Sequence, residues 1–156
     1  NFRPAKDVTL AAGYVHNPQF THGDVTTVER RAREQITVDN IARVAGGKLS
    51  ARLRLEQRWR DNVDGTGWRV RPYLKYSLPL QGKTSLVLSN ETFLNLNTTA
   101  FQGQDGLDRM RNLIAINTHL AKDVTIEAGY LNQYGFVRGG EDNRDHIASI
   151  SVSASF

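Results

Sequence analysis

Cysteine is absent from the 156 residues. That excludes a disulfide framework, a Cys-ligated zinc site and a cysteine nucleophile. Long apolar runs are missing too, the longest being Leu113-Ile114-Ala115-Ile116. A membrane helix needs about 20 mostly apolar residues, so helical spans are excluded as well. The chain opens Asn1-Phe2-Arg3-Pro4, without the charged start and apolar stretch of an export signal. So abrupt an opening reads as a mature or trimmed form. What is left fits one domain over residues 1–156, 39% hydrophobic, with a mean hydropathy of -0.46. Lys and Arg exceed Asp and Glu by 20 − 16 = +4, and the pI is near 9.6. A basic balance invites a nucleic-acid reading, which depends on where the cations sit.

Period-two alternation runs through nearly the whole chain, with no sustained 3.6 period. It predicts eight strands, at 7–16, 26–40, 48–60, 67–80, 84–96, 108–120, 123–136 and 144–156. Each is nine residues or longer, against about five or six in soluble sheets and about 9–11 in membrane barrels. Longer polar connections are expected at 17–25, 61–66, 97–107 and 137–143, with tight turns at 81–83 and 121–122. The stretch 41–47 is the exception, being longer than a tight turn. Short turns on one side and long loops on the other is the outer-membrane arrangement. The segment Lys6–Tyr14 returns as Lys122–Tyr130, differing only at Leu10/Ile126 and Ala11/Glu127. Both copies end in Gly-Tyr, which suits a curved strand and points to a shared structural job.

Every strand separates into an apolar and a polar face. In 48–60, Leu49, Ala51, Leu53, Leu55 and Trp59 oppose Ser50, Arg52, Arg54, Glu56, Arg58 and Arg60. In 67–80, Trp68, Val70, Leu74 and Tyr76 oppose Arg69, Arg71, Tyr73 and Lys75. A soluble barrel would bury the apolar face, and an outer-membrane barrel does the reverse. Two features favour the second. The polar face of the last two strands is built of Thr125, Gly129 and serines, small groups that suit a crowded lumen facing long arginines. The aromatics Trp59, Trp68, Tyr76, Tyr130, Tyr134 and Phe156 lie on apolar faces, mostly towards strand ends, like an interfacial girdle. The expected architecture is therefore all-β, an antiparallel up-and-down transmembrane β-barrel of about eight strands in the bacterial outer membrane.

The polar faces carry eleven cations, Arg31, Arg33, Arg52, Arg54, Arg58, Arg60, Arg69, Arg71, Lys75, Arg109 and Arg111. Against them stand Glu29, Glu56, Glu91 and Glu127, giving 11 − 4 = +7 on these faces and +4 − 7 = −3 elsewhere. Arginine offers a rigid fork for several carboxylates at once, so a lumen laced by Arg–Glu pairs is expected. Arg30 and Glu34 fall on an apolar face, as do Asn90, Thr92 and Asn112, and Pro72 sits mid-strand. A lipid-facing arginine at mid-depth costs about 2–4 kcal/mol, so these positions strain the membrane reading. The carboxy-terminal strand, ending in Phe156, is expected to be read by the outer-membrane insertion machinery.

The succession Arg52-Leu53-Arg54-Leu55-Glu56-Gln57-Arg58, Trp68-Arg69-Val70-Arg71-Pro72-Tyr73, Ser89-Asn90-Glu91-Thr92-Phe93, Asp108-Arg109-Met110-Arg111-Asn112 and Glu127–Gln133 resembles a family of uncharacterised Gram-negative outer-membrane barrels. That family is known only as a domain of unknown function. Order and rough spacing match over about 8–156. The resemblance implies further strands ahead of the one holding Gly13 and Tyr14, and with them a wider lumen able to pass anions. It implies no activity.

Catalytic chemistry finds little purchase. His16, His22, His119 and His146 show no metal-ligand spacing, so neither a metal nor another cofactor is expected. A rim enzyme acting on lipid could draft His146 with Ser149, or His22 with Asp24, but loop and strand-end histidines are commoner. Nucleic acid would need arginines and aromatics on one face, whereas here they lie mainly on opposite faces. The expectation is a membrane-lipid-embedded barrel with no enzyme activity, structural or passing small anions. Its alternatives are a soluble barrel holding an apolar ligand and a lipid-modifying enzyme.

Overall fold

The computed structural model describes residues 1–154, so the expectations resting on Phe156 lie outside the described residues. Nine strands are described: β1 (Phe2–Ala5), β2 (Val8–Thr21), β3 (Asp24–Val44), β4 (Gly47–Arg60), β5 (Val63–Pro79), β6 (Thr84–Asn95), β7 (Gly106–His119), β8 (Val124–Gly135) and β9 (Asn143–Ala154). They form a single antiparallel up-and-down sheet in chain order, each strand bonded to its sequence neighbours. The expected eight strands become nine because β1, four exposed residues containing Pro4, pairs with β2 through Phe2↔Leu10 and Ala5↔Val8. It is too short to show alternation. Nor is the described sheet closed, since β1 and β9 do not pair.

Two of the four long loops expected on one side are tight turns. Residues 17–25 largely continue β2 and β3, which meet at His22-Gly23 with φ of 52° and 95°. Two positive φ values in a two-residue hairpin match a type I′ turn, whose twist follows that of the strands. Residues 61–66 likewise reduce to a turn at Asp61-Asn62, beside a register shift between Arg58 and Arg60. On the other side, 41–47 belongs mostly to β3 and turns at Ala45-Gly46. Only 96–105 and 136–142 remain long.

Directly opposed residues fix the faces. Arg33↔Glu56, Glu56↔Arg69, Tyr73↔Glu91 and Glu91↔Arg111 share one face, and Ile36↔Leu53, Tyr76↔Leu88 and Leu88↔Ile114 share the other. Burial is opposite to that of a soluble domain. Glu29 and Glu56 are each 2% exposed and Arg58, Arg69, Arg71 and Glu91 are buried, while Ile150, Val152, Tyr14 and Leu53 are among the most exposed large apolar residues. No second sheet or helix covers the charges, because among the described residues the backbone of each strand lies beside only its sequence neighbours. Only a sheet curled around its polar face buries that face this way, and the Arg52–Glu91 pair, joining β4 to β6 across β5, fits the curl.

The awkward outward residues find partners. Arg30 pairs with Asp61 at the β4–β5 turn. Asn90 donates to Asn112 at 2.7 Å and accepts from Thr92 at 3.1 Å. At Pro72 the β5–β6 ladder passes from Val70↔Leu94 to Tyr73↔Glu91 without a change of register, as expected for a residue with no N–H. Glu34 alone of this group has no ion pair or side-chain hydrogen bond among the described residues.

Candidate functional site

The concave face of β3–β6 is organised around three carboxylates. Glu56 accepts from Arg69 at 2.5 and 3.0 Å and from Arg71 at 2.6 Å, with Arg54 at 3.8 Å. Glu91 is shared between Arg71, at 2.8 Å, and Arg52. Glu29 takes Arg58 through both oxygens at 2.9 and 3.1 Å, Arg31 at 2.6 Å and Arg60 at 3.4 Å. Register explains this. A carboxylate on a cross-strand row has neighbours directly opposite and diagonally, and here each of the three has at least one arginine opposite and another diagonal to it: Arg60 and Arg58 for Glu29, Arg69 and Arg71 for Glu56, Arg111 and Arg71 for Glu91. Each fork thereby obtains charge-assisted bonds that offset part of its desolvation.

The chain Arg52–Glu91–Arg71–Glu56–Arg69 crosses β4, β5 and β6 and divides the concave face into two chambers. At the tight-turn end lies a space of about 550 Å³ lined by Lys48, Arg52, Lys75, Asp7 and Asp39 among others, of mixed charge. At the long-loop end lies one of about 330 Å³ lined by six arginines, Arg31, Arg58, Arg69, Arg71, Arg109 and Arg111, with Asp108 the one acid in its wall. Phe93, 3% exposed, forms its floor on β6. The guanidinium carbons of Arg71, Arg111, Arg69 and Arg109 lie 4.3, 5.0, 5.2 and 5.9 Å from its ring centroid. One aromatic face thus helps hold four like charges together.

The loop 96–105 folds over this chamber. Gln102, 3% exposed, accepts from Arg58 Nη1 at 3.0 Å and donates to the carbonyls of Asn97 and Trp68 at 2.7 and 3.1 Å. Phe101 packs against Arg58 and Arg60. Gly67 makes room for it: a Cβ there would lie 3.0 Å from Gln102 Oε1 and 3.1 Å from the Phe101 ring. The loop 136–142 is stapled on through Gln104, which donates to Phe136 O at 2.6 Å and accepts from Arg138 N at 2.7 Å.

Of the thirteen residues expected in the Arg–Glu network, eight form ion pairs: Arg31, Arg52, Arg54, Glu56, Arg58, Arg69, Arg71 and Glu91. Arg33, Lys75, Arg109, Arg111 and Glu127 share the face but form none among the described residues. Arg111 donates instead to Gln133 at 2.8 Å, and Glu127 accepts only from Asn117 at 3.3 Å. The cause is position: Glu127 stands opposite Asn117 and Ser151, with no arginine beside it. Trp59, Trp68, Tyr76, Tyr130 and Tyr134 all lie on the outer face. Most of their polar tips are partnered, Trp59 with Thr66 at 3.0 Å, Tyr76 with Val44 O at 2.9 Å, Tyr134 with Asp142 at 2.7 Å and Tyr130 with His146. His146 and Ser149, three apart in a strand, point to opposite faces and cannot act together.

Residues 1–144 match the model of a family described as "Protein of unknown function (DUF2490)". An uncharacterized protein of Methylorubrum extorquens is 32% identical over 148 residues, covering 93% of this chain. The chain belongs to the DUF2490 family. It spans 64% of the length of that curated relative. In this DUF2490 protein the motifs Arg52–Arg58, Trp68–Tyr73, Ser89–Phe93 and Asp108–Asn112 all contribute to the ion-pair chain or to the arginine chamber. Two members of the site escaped the sequence reading. Phe93 shares the parity of Glu91 and Asn95, so its inward position could have been read from alternation alone. Gln102 gave no such signal, because nothing in a loop's sequence says that it folds inward.

Proposed function

We propose that this chain forms wall of an outer-membrane β-barrel whose arginine-rich concave face lines a lumen for small anions, without enzymatic activity. The observation that carries the reading is the inverted burial: ionised side chains on the sheltered face, large apolar ones on the exposed face. In water, such an exposed apolar surface would be a severe aggregation liability. Against lipid it is the favourable side, and the partnered tips of Trp59, Tyr76 and Tyr134 suit an environment that offers few hydrogen bonds. A soluble barrel holding an apolar ligand is disfavoured because its interior would be this charged face. In a bilayer the outer edges of β1 and β9 need hydrogen-bond partners, so the reading requires the sheet to close, edge to edge or through further strands.

Solutes passing through such a lumen would meet the Arg52–Glu91–Arg71–Glu56 chain, so passage would be narrow and selective. The test uses Trp59 and Trp68, the two tryptophans, both on the outer face. Refolded into vesicles of brominated phospholipid, the protein should lose much of its tryptophan fluorescence relative to plain phospholipid. Unchanged fluorescence, with a monomer stable in detergent-free buffer, would refute the barrel. Planar-bilayer recordings then separate the roles: conductance steps favouring anions support passage, and their absence leaves a structural or anion-holding wall.

A further inference from the structure

We infer that the chamber at the long-loop end is a binding site for a small doubly charged oxyanion, phosphate or a soluble phosphate monoester. The inference deepens the barrel reading by naming what the lumen holds, and rests on it for the concave face being a lumen. Its first support is charge. Six arginines line the space, and even counting Asp108 in its wall and the three carboxylates bonded behind it, the sum is 6 − 4 = +2. The second is that the excess sits on particular side chains. Arg109 and Arg111, adjacent on one face of β7, have no carboxylate within ion-pairing distance among the described residues, unlike Arg58, Arg69 and Arg71. Arg109 Nε and Arg71 Nε are buried donors with no hydrogen-bond partner among the described residues, so donor capacity beside this chamber is unmet.

Geometry selects the class. The forks approach from β3, β4, β5 and β7, around the Phe93 floor, so they suit a tetrahedral group whose oxygens point several ways better than a planar carboxylate. A space of about 330 Å³ admits a phosphate with a small attached group. The loop bearing Gln102 and Gly103 borders it, placing the entrance at the long-loop rim. The chamber lies on the face turned from the apolar surface, so a soluble anion reaches it and a phospholipid headgroup would have to leave the bilayer.

The test is calorimetric titration of the full chain, refolded in detergent micelles, with inorganic phosphate against a chloride background. Saturable binding is expected, weakened about tenfold or more in Arg109→Gln and in Arg111→Gln, each of which removes charge-assisted bonds without leaving a carboxylate unpaired. Arg109→Lys keeps the charge but loses the fork and should fall between. Lys48→Gln removes one positive charge from the same face at the opposite mouth and should change affinity less than about twofold, since the distant field is screened. Glycerol phosphate should compete and phosphatidic acid in mixed micelles should not; the reverse would reassign the ligand to a lipid headgroup and overturn the soluble-anion proposal. No saturable binding up to about 10 mM phosphate, or equal losses in Lys48→Gln and Arg109→Gln, would also overturn it. Bromolipid quenching on the same preparations keeps the two readings apart. Quenching without phosphate binding sinks the site alone, and phosphate binding by a detergent-free monomer sinks the barrel alone.

Discussion

The same two residue types behave differently on the two halves of one face. On β3–β6 Glu29, Glu56 and Glu91 are each gripped by two or more arginines and are buried, Glu56 to 2% exposure. On β7–β8, among the described residues, Arg109 and Arg111 have no carboxylate and Glu127 no arginine within ion-pairing distance. Charge counting treats both halves alike, since each contains Arg and Glu at inward positions. Register separates them. Arg33 and Arg69 opposite, Arg71 on the diagonal and Arg54 two residues back on the same strand surround Glu56, whereas Glu127 has Asn117, Ser151 and the small Gly129 near it. A saturated half serves as framework, and an unsaturated half keeps its charge for something that is not protein.

Breaking the saturated half should cost most. Glu56→Gln leaves Arg69 and Arg71 buried without their shared carboxylate and should lower unfolding stability by about 3–5 kcal/mol, read from the denaturant midpoint of the refolded protein. Glu127→Gln, the same chemical change on the other half, should cost about 0.5 kcal/mol or less. Equal losses would erase the distinction between halves. Next comes Phe93, which touches both. Phe93→Leu keeps an apolar side chain but removes the ring under four guanidinium groups, and should cost about 2 kcal/mol by the same measurement. A neutral outcome would mean that volume, and not the aromatic face, is what the arginines need.

The halves were unequally visible in the sequence, for physical reasons. Strand existence and face follow from side-chain parity, a local property, so Arg52, Arg54, Glu56 and Arg58 sort correctly from alternation. Ion pairs depend on which residue of the next strand stands opposite, and that is set by turn length. Polar residues such as Asn17, Gln19 and Asp24 read as loop although they sit in β2 and β3. In a sheet with two dissimilar surroundings, strand ends near water are polar on both faces and look like connections. The echoed Gly-Tyr pairs show a further limit. A Cβ on Gly129 would collide with the backbone of Ile114 and Ala115, while one on Gly13 would meet only the movable Arg33 side chain at 3.0 Å. Identical motifs thus carry unequal constraint.

A smaller effect tests how the loop serves the unsaturated half. Gln102→Ala removes the acceptor of Arg58 Nη1 and the donor to Asn97 O and Trp68 O, and should cost about 1 kcal/mol globally. Locally it should do more. Amide hydrogen exchange across 96–105 should rise well beyond the change in β4 or β5, because the loop loses its anchor while the ladder is untouched. A uniform rise over the whole sheet would instead make Gln102 part of the framework half.

The least perturbing variant concerns the rim alone. Asp142 accepts from the Val137 backbone N–H at 3.0 Å and from the Tyr134 hydroxyl at 2.7 Å. The Val137 bond, followed by the Tyr134 one, holds its carboxyl below the ordinary 3.8. A group with a lowered folded-state pKa contributes stability that is present above its unfolded value and is lost as pH falls through the folded one. The turn at 136–142 should therefore stay ordered at pH 4 and loosen only on further acidification, with exchange of the Val137 amide as the readout. Asp142→Ala should bring that fast exchange to neutral pH and flatten its acid dependence, while the amides of β4 and β5 keep theirs. Were β4 and β5 to loosen together with Val137 in the wild-type chain, the rim would titrate with the buried Glu56 framework, and the separation between rim, saturated half and unsaturated half would fail at its most exposed point.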